Sequence, residues 1–276
     1  MKQRKLFSQW HPVCYFIAVG IRRWHRRLLW IFDSKQYAQQ KAKTVLPHKV
    51  KRHQSTLLRK LGDVDMQLQI NKVTNLSIAI KEIDGIIIAP GQTFSFCKLV
   101  GLPTKKKGYL LGMELSFGRP KPGIGGGICQ LANMIHWLVL HSPLEVVERS
   151  QHSFDPFPDE GRVLPFGSGA AIFYNYIDYQ FYNPTDQSFQ LNLWLTEKTL
   201  EGALRSERAL PNSYHIFERD HRFVKLGTDY YRRNEIWKRI NDKRTGNVLA
   251  EICMVKNNAR LSYVPNEWQE IEEDLA

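Results

Sequence analysis

The chain has 276 residues, 43% hydrophobic and 24% charged, with seven Trp, eleven Tyr and fourteen Phe. That composition excludes collagen, mucin and coiled-coil classes and a wholly disordered chain, and it suffices for a sizeable core in one large or two small domains. A formal net charge of +12, taken whole, points to nucleic acid or an anionic membrane. The charge is uneven, however. Residues 1–60 carry 15 Lys+Arg and one acid, Asp33, a net of +14, whereas the remainder, with 24 Lys+Arg against 26 acids, nets −2.

From the N-terminus, the apolar stretch Val13 to Ile21 spans about nine residues, against the roughly twenty a membrane-crossing helix needs. A basic start before it imitates a signal peptide, but Arg22, Arg23, Arg26 and Arg27 follow Gly20 without a small-residue cleavage site. Residues 21–32 predict an amphipathic helix, with Ile21, Trp24, Leu28, Ile31 and Phe32 on one arc and the four arginines on the other. Three readings fit it: a helix on an anionic membrane surface with Trp inward and Arg towards head groups, a nucleic-acid-binding arm, or a docked helix with a solvated basic face. Residues 33–60 read as a linker or loose helix.

In the body, Met66 to Ile83 predicts a helix closed by Asp84-Gly85, and Ile86-Ile87-Ile88 a buried strand. Ala89-Pro90-Gly91 is a turn, Phe94-Ser95-Phe96 alternates like a strand, and Lys105-Lys106-Lys107-Gly108 is an exposed turn. The segment from Arg119 to Gln130 reads as a Gly-rich loop feeding a helix that runs to about His141 and stops at Ser142-Pro143. Leu144 to Arg149 is a short strand, 153–169 a loop, and Ala171 to Phe181 and Phe189 to Leu195 are strands joined by a hairpin turn at Asn183–Asp186. Tyr214 to Leu226 and Val248 to Val255 are further strands, and Tyr230 to Ile240 suggests a helix. The predicted class is α+β: helices first, then a mostly antiparallel sheet, with the Gly-rich loop leading into a central helix.

Cys129 is the most informative residue. A side chain at a helix N-terminus meets backbone N–H groups and a positive partial charge, which stabilise a thiolate. Glycines just before it let an anion or a substrate backbone approach, and the nearby amides form a candidate oxyanion hole. A nucleophilic thiol needs a base. His152, just beyond the 144–149 strand, is the favoured candidate. His136 lies seven residues along the same helix, about 10 Å of rise and too far for direct contact. Asp155, Asp159 and Asp178 are candidates to orient the histidine. The competing bland reading is a small buried cysteine beside a tight loop. Gly125-Gly126-Gly127 is neither a P-loop nor a dinucleotide fingerprint. Cys14, Cys97, Cys129 and Cys253 show no CxxC spacing, so no metal or other cofactor is expected, and scattered cysteines suit a reducing compartment.

Four motifs occur in order: Pro90-Gly91-Gln92-Thr93-Phe94-Ser95-Phe96, Gly108-Tyr109, Pro122-Gly123-Ile124-Gly125-Gly126-Gly127-Ile128-Cys129-Gln130, and Glu148-Arg149-Ser150-Gln151-His152-Ser153. In these the chain resembles the VanW family, over roughly residues 60–200. The resemblance implies association with vancomycin (glycopeptide) resistance and peptidoglycan metabolism, in a family without an established biochemical activity. Cys129 and His152 fall on its hallmark positions. Many relatives carry Ser/Thr-rich residues after Cys-Gln, where this chain has Leu131-Ala132-Asn133-Met134, and an Asp in a Gly-Arg-Asp-Ala-Thr stretch, where it has Ser168-Gly169-Ala170-Ala171. If that Asp orients the histidine, Asp178 is the nearest substitute here.

The expectations are therefore a basic N-terminal arm over 1–60 and a VanW-like α+β domain over 61–276. Cys129, His152 and Asp178 are the candidate catalytic residues, and Gly125, Gly126, Gly127, Ile128 and Gln130 the candidate substrate-binding residues. One functional reading is cysteine-dependent acyl transfer or hydrolysis on a peptidoglycan-related peptide. The other is a non-catalytic protein that binds a peptidoglycan precursor or a partner. The body lacks a basic surface signal, which argues against nucleic acid as the partner. The expected location is cytoplasmic, peripheral at the inner face of the plasma membrane through the arm.

Overall fold

A computed structural model describes residues 7, 10–59, 65–116, 119–150, 154–155, 163–174 and 176–270. Four α-helices and fifteen strands are found among them. Helix α1 (Pro12–Phe32) is longer than the predicted 21–32. His11 caps it by accepting from Val13 N, and Pro12 occupies the first turn, where its missing N–H costs nothing. The apolar stretch before Gly20 is thus part of one 21-residue helix.

Residues 33–60, expected as a linker or loose helix, instead supply β1 (Gln36–Tyr37) and β2 (His48–Thr56). Helix α2 (Met66–Ile83) has the predicted bounds. Asp65 caps its start through Gln67 N, and Leu76, Ala79, Ile80 and Ile83 are buried at three/four spacing. β3 (Ile87–Ile88) and β4 (Gln92–Ser95) follow, and Phe96, expected in a strand, instead begins the short helix α3 (Phe96–Val100).

β5 (Leu111–Ser116) and β6 (Arg119–Ile124) pair as a separate hairpin. Residues 119–124, expected as loop, are therefore strand; a two-stranded ribbon tolerates Pro120 and Pro122 because each strand has a free edge. A turn at 125–128 enters α4 (Cys129–Leu140). Nine of its twelve residues are buried, the mark of a helix inside a core.

The remaining strands are β7 (Glu145–Glu148), β8 (Phe154–Asp155), β9 (Gln180–Tyr182), β10 (Phe189–Leu195), β11 (Thr199–Ser206), β12 (Asn212–Leu226), β13 (Asp229–Asp242), β14 (Val248–Leu261) and β15 (Gln269–Glu270). They and the earlier strands form three larger sheets, ordered β1-β4-β9-β7, β2-β11-β10-β3 and β15-β12-β13-β14-β8. Pairing is antiparallel except at the edges, where β1, β15 and β8 run parallel to their neighbours. The architecture is α+β.

Three further expectations need correction. Ala171 to Phe181, expected as one strand, is strand only from Gln180 on, in β9; before it Ala171 and Phe173 make isolated bridges. Tyr230 to Ile240 is not a helix: it lies in β13, which pairs with β12 and β14 along nearly its whole length. The turn at Asn183 exists, with Asn183 accepting from Thr185 N at 3.1 Å and Oγ1 at 2.7 Å. It joins two different sheets rather than closing a hairpin, because β9 pairs with β4 and β7 while β10 pairs with β11 and β3. The core lies between these sheets and helices α2 and α4. Phe94 and Phe181 stack at 4.7 Å, and Leu131, Ile135 and Leu138 of α4 meet Leu191, Leu193, Leu200 and Leu204 in one buried cluster.

Candidate functional site

The Gly-rich turn is wedged against α2 and β5. Gly126 faces Gly112 so closely that a Cβ on either would collide with the other's backbone carbonyl. Gly127 adopts φ +90°, and a Cβ there would also strike the aliphatic stem of Lys72. Asn75 of α2 fixes the approach. Its amide donates to Gly126 O at 3.0 Å and Leu110 O at 3.1 Å, and its carbonyl accepts from Leu110 N at 2.8 Å. Buried Lys72 donates to Gln69 Oε1 at 2.8 Å, and burial, with Arg59 adding to it, lowers its pKa to about 8. The Tyr109 hydroxyl, one of the buried polar groups without a hydrogen-bond partner among the described residues, belongs to a ring beside Gly125; burial raises its pKa to about 12.

Cys129 is the first residue of α4, and its Sγ donates to Ile172 O at 3.6 Å. Burial pushes this thiol above its ordinary pKa, and a thiol that donates to a carbonyl makes that bond only in its protonated form. The direction is the reverse of the thiolate stabilisation expected at a helix N-terminus. Gln130 is committed elsewhere, donating from Nε2 to Ser55 Oγ and Thr56 O, both at 2.9 Å, which ties α4 to β2.

Asp178 is fully buried and accepts four hydrogen bonds, from Ser95 Oγ (2.6 Å), Cys97 N and Tyr179 N (2.8 Å each) and Gln180 Nε2 (2.9 Å). Two donors on each oxygen occupy the lone pairs a histidine would need. Burial raises its pKa. Its partners lie on β4, α3 and β9, and it shares none with Cys129 among the described residues. His152 and Asp159 lie outside the described residues. Asp155 is buried against Arg232 and Tyr263, each at 3.3 Å. His136 places Nδ1 3.1 Å from the Tyr179 hydroxyl, and burial lowers its pKa well below the usual imidazole value. No group of metal-ligating side chains occurs among the described residues.

The structure thus brings the glycines together with α2 and β5, and Cys129 together with Ile172. Several organising residues went unnoticed in the sequence. Lys72 and Asn75 looked like ordinary helix positions. Arg149 stood inside a motif but was given no role; it donates to Gly169 O at 2.9 Å and to Gly167 O, holding the 167–169 turn. The two departures from the family pattern touch one another. Asn133 accepts from Ala170 N at 2.7 Å, and a Cβ at Gly169 would press on the same carboxamide. The Asn133 carboxamide thus holds the 169–170 backbone and leaves no room for a side chain at 169.

Comparison with known proteins agrees with this motif placement. The family model described as VanW like protein matches residues 71–205. The vancomycin B-type resistance protein VanW of Enterococcus faecalis is 29% identical over 242 residues, 88% of each chain. The uncharacterized protein YoaR of Bacillus subtilis is 32% identical over 114 residues, 41% of this chain and 36% of its own length. No solved structure matches the chain. The motifs, the matched segment and the near full-length relative together place the chain in the VanW family.

Proposed function

We propose that the protein is an accessory protein of glycopeptide resistance that binds a peptidoglycan-precursor peptide without thiol chemistry. The observation that carries this reading is Cys129: its thiol donates to Ile172 O, and burial pushes its pKa up rather than down. The surrounding motif residues have structural duties as well, since Gln130 pins β2, Asp178 organises β4 and β9, and the glycines permit close packing. The link to resistance rests on similarity to a vancomycin B-type resistance protein over 88% of the chain.

A second reading is acyl transfer with Cys129 as nucleophile, His152 as base and the amides near Gly127 and Ile128 as oxyanion donors. One observation favours it: Cys129 opens α4 directly after the glycines, and its own N–H lies against Sγ. Cys129→Ala and Cys129→Ser separate the two. In a resistant host lacking the native gene, both variants should restore the wild-type inhibitory concentration of vancomycin. Purified protein should bind a muramyl pentapeptide, show no acyl adduct on Cys129 by mass spectrometry, and alkylate slowly at pH 7. Loss of resistance in a stably folded Cys129→Ala protein, or an acyl adduct, would overturn the binding reading in favour of the enzyme.

A further inference from the structure

Helix α1 docks with the opposite face to the one amphipathicity leads one to expect. A surface helix ordinarily buries its apolar stripe and offers charge to water. Here the arginine side faces the body. Arg26 makes a two-pronged ion pair with Glu148, one leg at 2.7 Å, and its side chain is only 12% exposed. Arg22 lies over the Tyr176 ring at 5.3 Å, Trp30 meets Tyr174 at 6.4 Å, and Lys98 donates to Trp30 O at 3.2 Å. The apolar stripe is left in the open. Phe16, Ile17, Ile21, Trp24, Ile31 and Phe32 are between 48% and 80% exposed. At about 100° per residue Ile17, Ile21, Trp24, Ile31 and Phe32 fall on one continuous arc with Phe16 at its edge beyond Arg27, and the stretch from Phe16 to Phe32 extends it over about 24 Å. An uncovered apolar patch of that length marks an interaction surface.

The charge around the stripe selects the occupant. Helix α1 contains four arginines and no acid, and residues 1–60 sum to +14. Arg23 and Arg27 lie along one border of the stripe and His25 along the other. A second copy would set these like charges against each other. No described helix is long and apolar enough to cross a membrane, and the arginines near mid-helix suit a helix lying in the interface, where long cationic side chains reach back to head groups. We propose that α1 lies in the plane of an anionic lipid surface, stripe inward, while the Arg26–Glu148 pair fixes the body to its outer side. Anionic head groups would meet Arg23 and Arg27.

The test is flotation of the full-length protein with vesicles of phosphatidylcholine alone or of 70:30 phosphatidylcholine and phosphatidylglycerol. The variant Ile21→Ser/Trp24→Ser/Ile31→Ser keeps every charge and changes only exposed side chains, so its melting temperature should match the wild type. The wild type should float with the mixed vesicles only, and the variant's partition should fall at least tenfold. Trp24 fluorescence should be quenched by brominated lipid, a signal lost in Trp24→Phe. Equal flotation of wild type and triple-serine variant would show charge-only attraction and overturn the proposal. A soluble wild-type dimer that the triple-serine variant dissolves, or salt-sensitive RNA binding without flotation, would overturn it too.

Discussion

Replacing Asp178 distinguishes a structural carboxylate from a catalytic one. The side chain is fully buried and accepts from Ser95 Oγ, Cys97 N, Tyr179 N and Gln180 Nε2. Asp178→Ala strips all four donors of their acceptor. Two are backbone N–H groups that cannot turn away, each costing about 1–3 kcal/mol when buried and unpaired. The Ser95 hydroxyl can rotate to a new partner, and removing a buried carboxylate whose pKa is already raised offsets part of the loss. The expected net destabilisation is about 3 kcal/mol, at the upper end for single substitutions. Asp178→Asn keeps one oxygen for the two backbone donors but turns the other position into a donor facing Gln180 Nε2. Relief requires Gln180 to flip, which breaks the 3.1 Å bond from Lys35 Nζ to Gln180 Oε1. About 1–2 kcal/mol is the expected cost. Urea unfolding followed by far-UV circular dichroism at pH 7 gives both values by linear extrapolation. A loss under 0.5 kcal/mol for Asp178→Ala, on the order of an ordinary surface substitution, would refute the structural assignment. So would an Asp178→Asn protein of wild-type stability that confers no resistance, which would make the residue functional.

Three further predictions follow from the same contacts. Asn75→Ala removes the three hydrogen bonds that hold Leu110 and Gly126 and should cost about 2–4 kcal/mol in the same urea assay; a loss under about 1 kcal/mol would show that the glycine turn holds itself. His141 donates to Trp137 O at 2.8 Å and has its pKa lowered to about 4, chiefly by burial. The unfolded chain therefore binds more protons between about pH 4 and 6.5, so stability should fall as pH drops through that window, by up to about 1.4 kcal/mol per unit. His141→Gln should reduce that slope while the contribution of buried His136 remains, and an unchanged slope would exclude His141 as a source. Glu148→Ala removes the two-pronged ion pair with Arg26 and should loosen α1: trypsin should cut at its arginines several-fold faster, while the unfolding midpoint of the remaining body changes little. Equal cleavage rates would mean that the aromatic contacts of Arg22 and Trp30 suffice.

What the sequence disclosed depended on which residues carried the periodicity. Helix α2 was readable to the residue because Leu76, Ile80 and Ile83 repeat at helical spacing between Asp65 and Asp84-Gly85. β10 was readable because Phe189, Leu191 and Leu193 alternate cleanly into the core. β13 was not. Its buried positions are Arg232, Asn234, Ile236 and Lys238, a strict alternation that hydropathy does not register. Each polar side chain reaches a distant segment: Arg232 pairs with Asp155, Asn234 donates to Phe166 O at 2.9 Å and Lys238 to Ser142 O at 2.6 Å. β2 hid for a related reason. Its residues are almost all polar and basic, as suits an edge strand that must discourage further pairing, and they read as linker.

The candidate site failed to disclose itself for a different reason. Position along the chain placed Cys129 at a helix start, and general electrostatics then favoured a thiolate. The deciding group, the carbonyl of Ile172, lies 43 residues later, and the desolvation it accompanies is a property of tertiary packing. The same limit governs α1. A helical wheel divided it correctly into apolar and basic arcs, and left open whether the apolar arc meets the body or a membrane surface. Glu148, 122 residues away, draws Arg26 inward. Shielding that pair costs desolvation, which its two-pronged geometry offsets, and it leaves the apolar arc uncovered. In both places the local pattern identified the chemical groups, and a partner far along the chain sets the surroundings that the pattern does not contain.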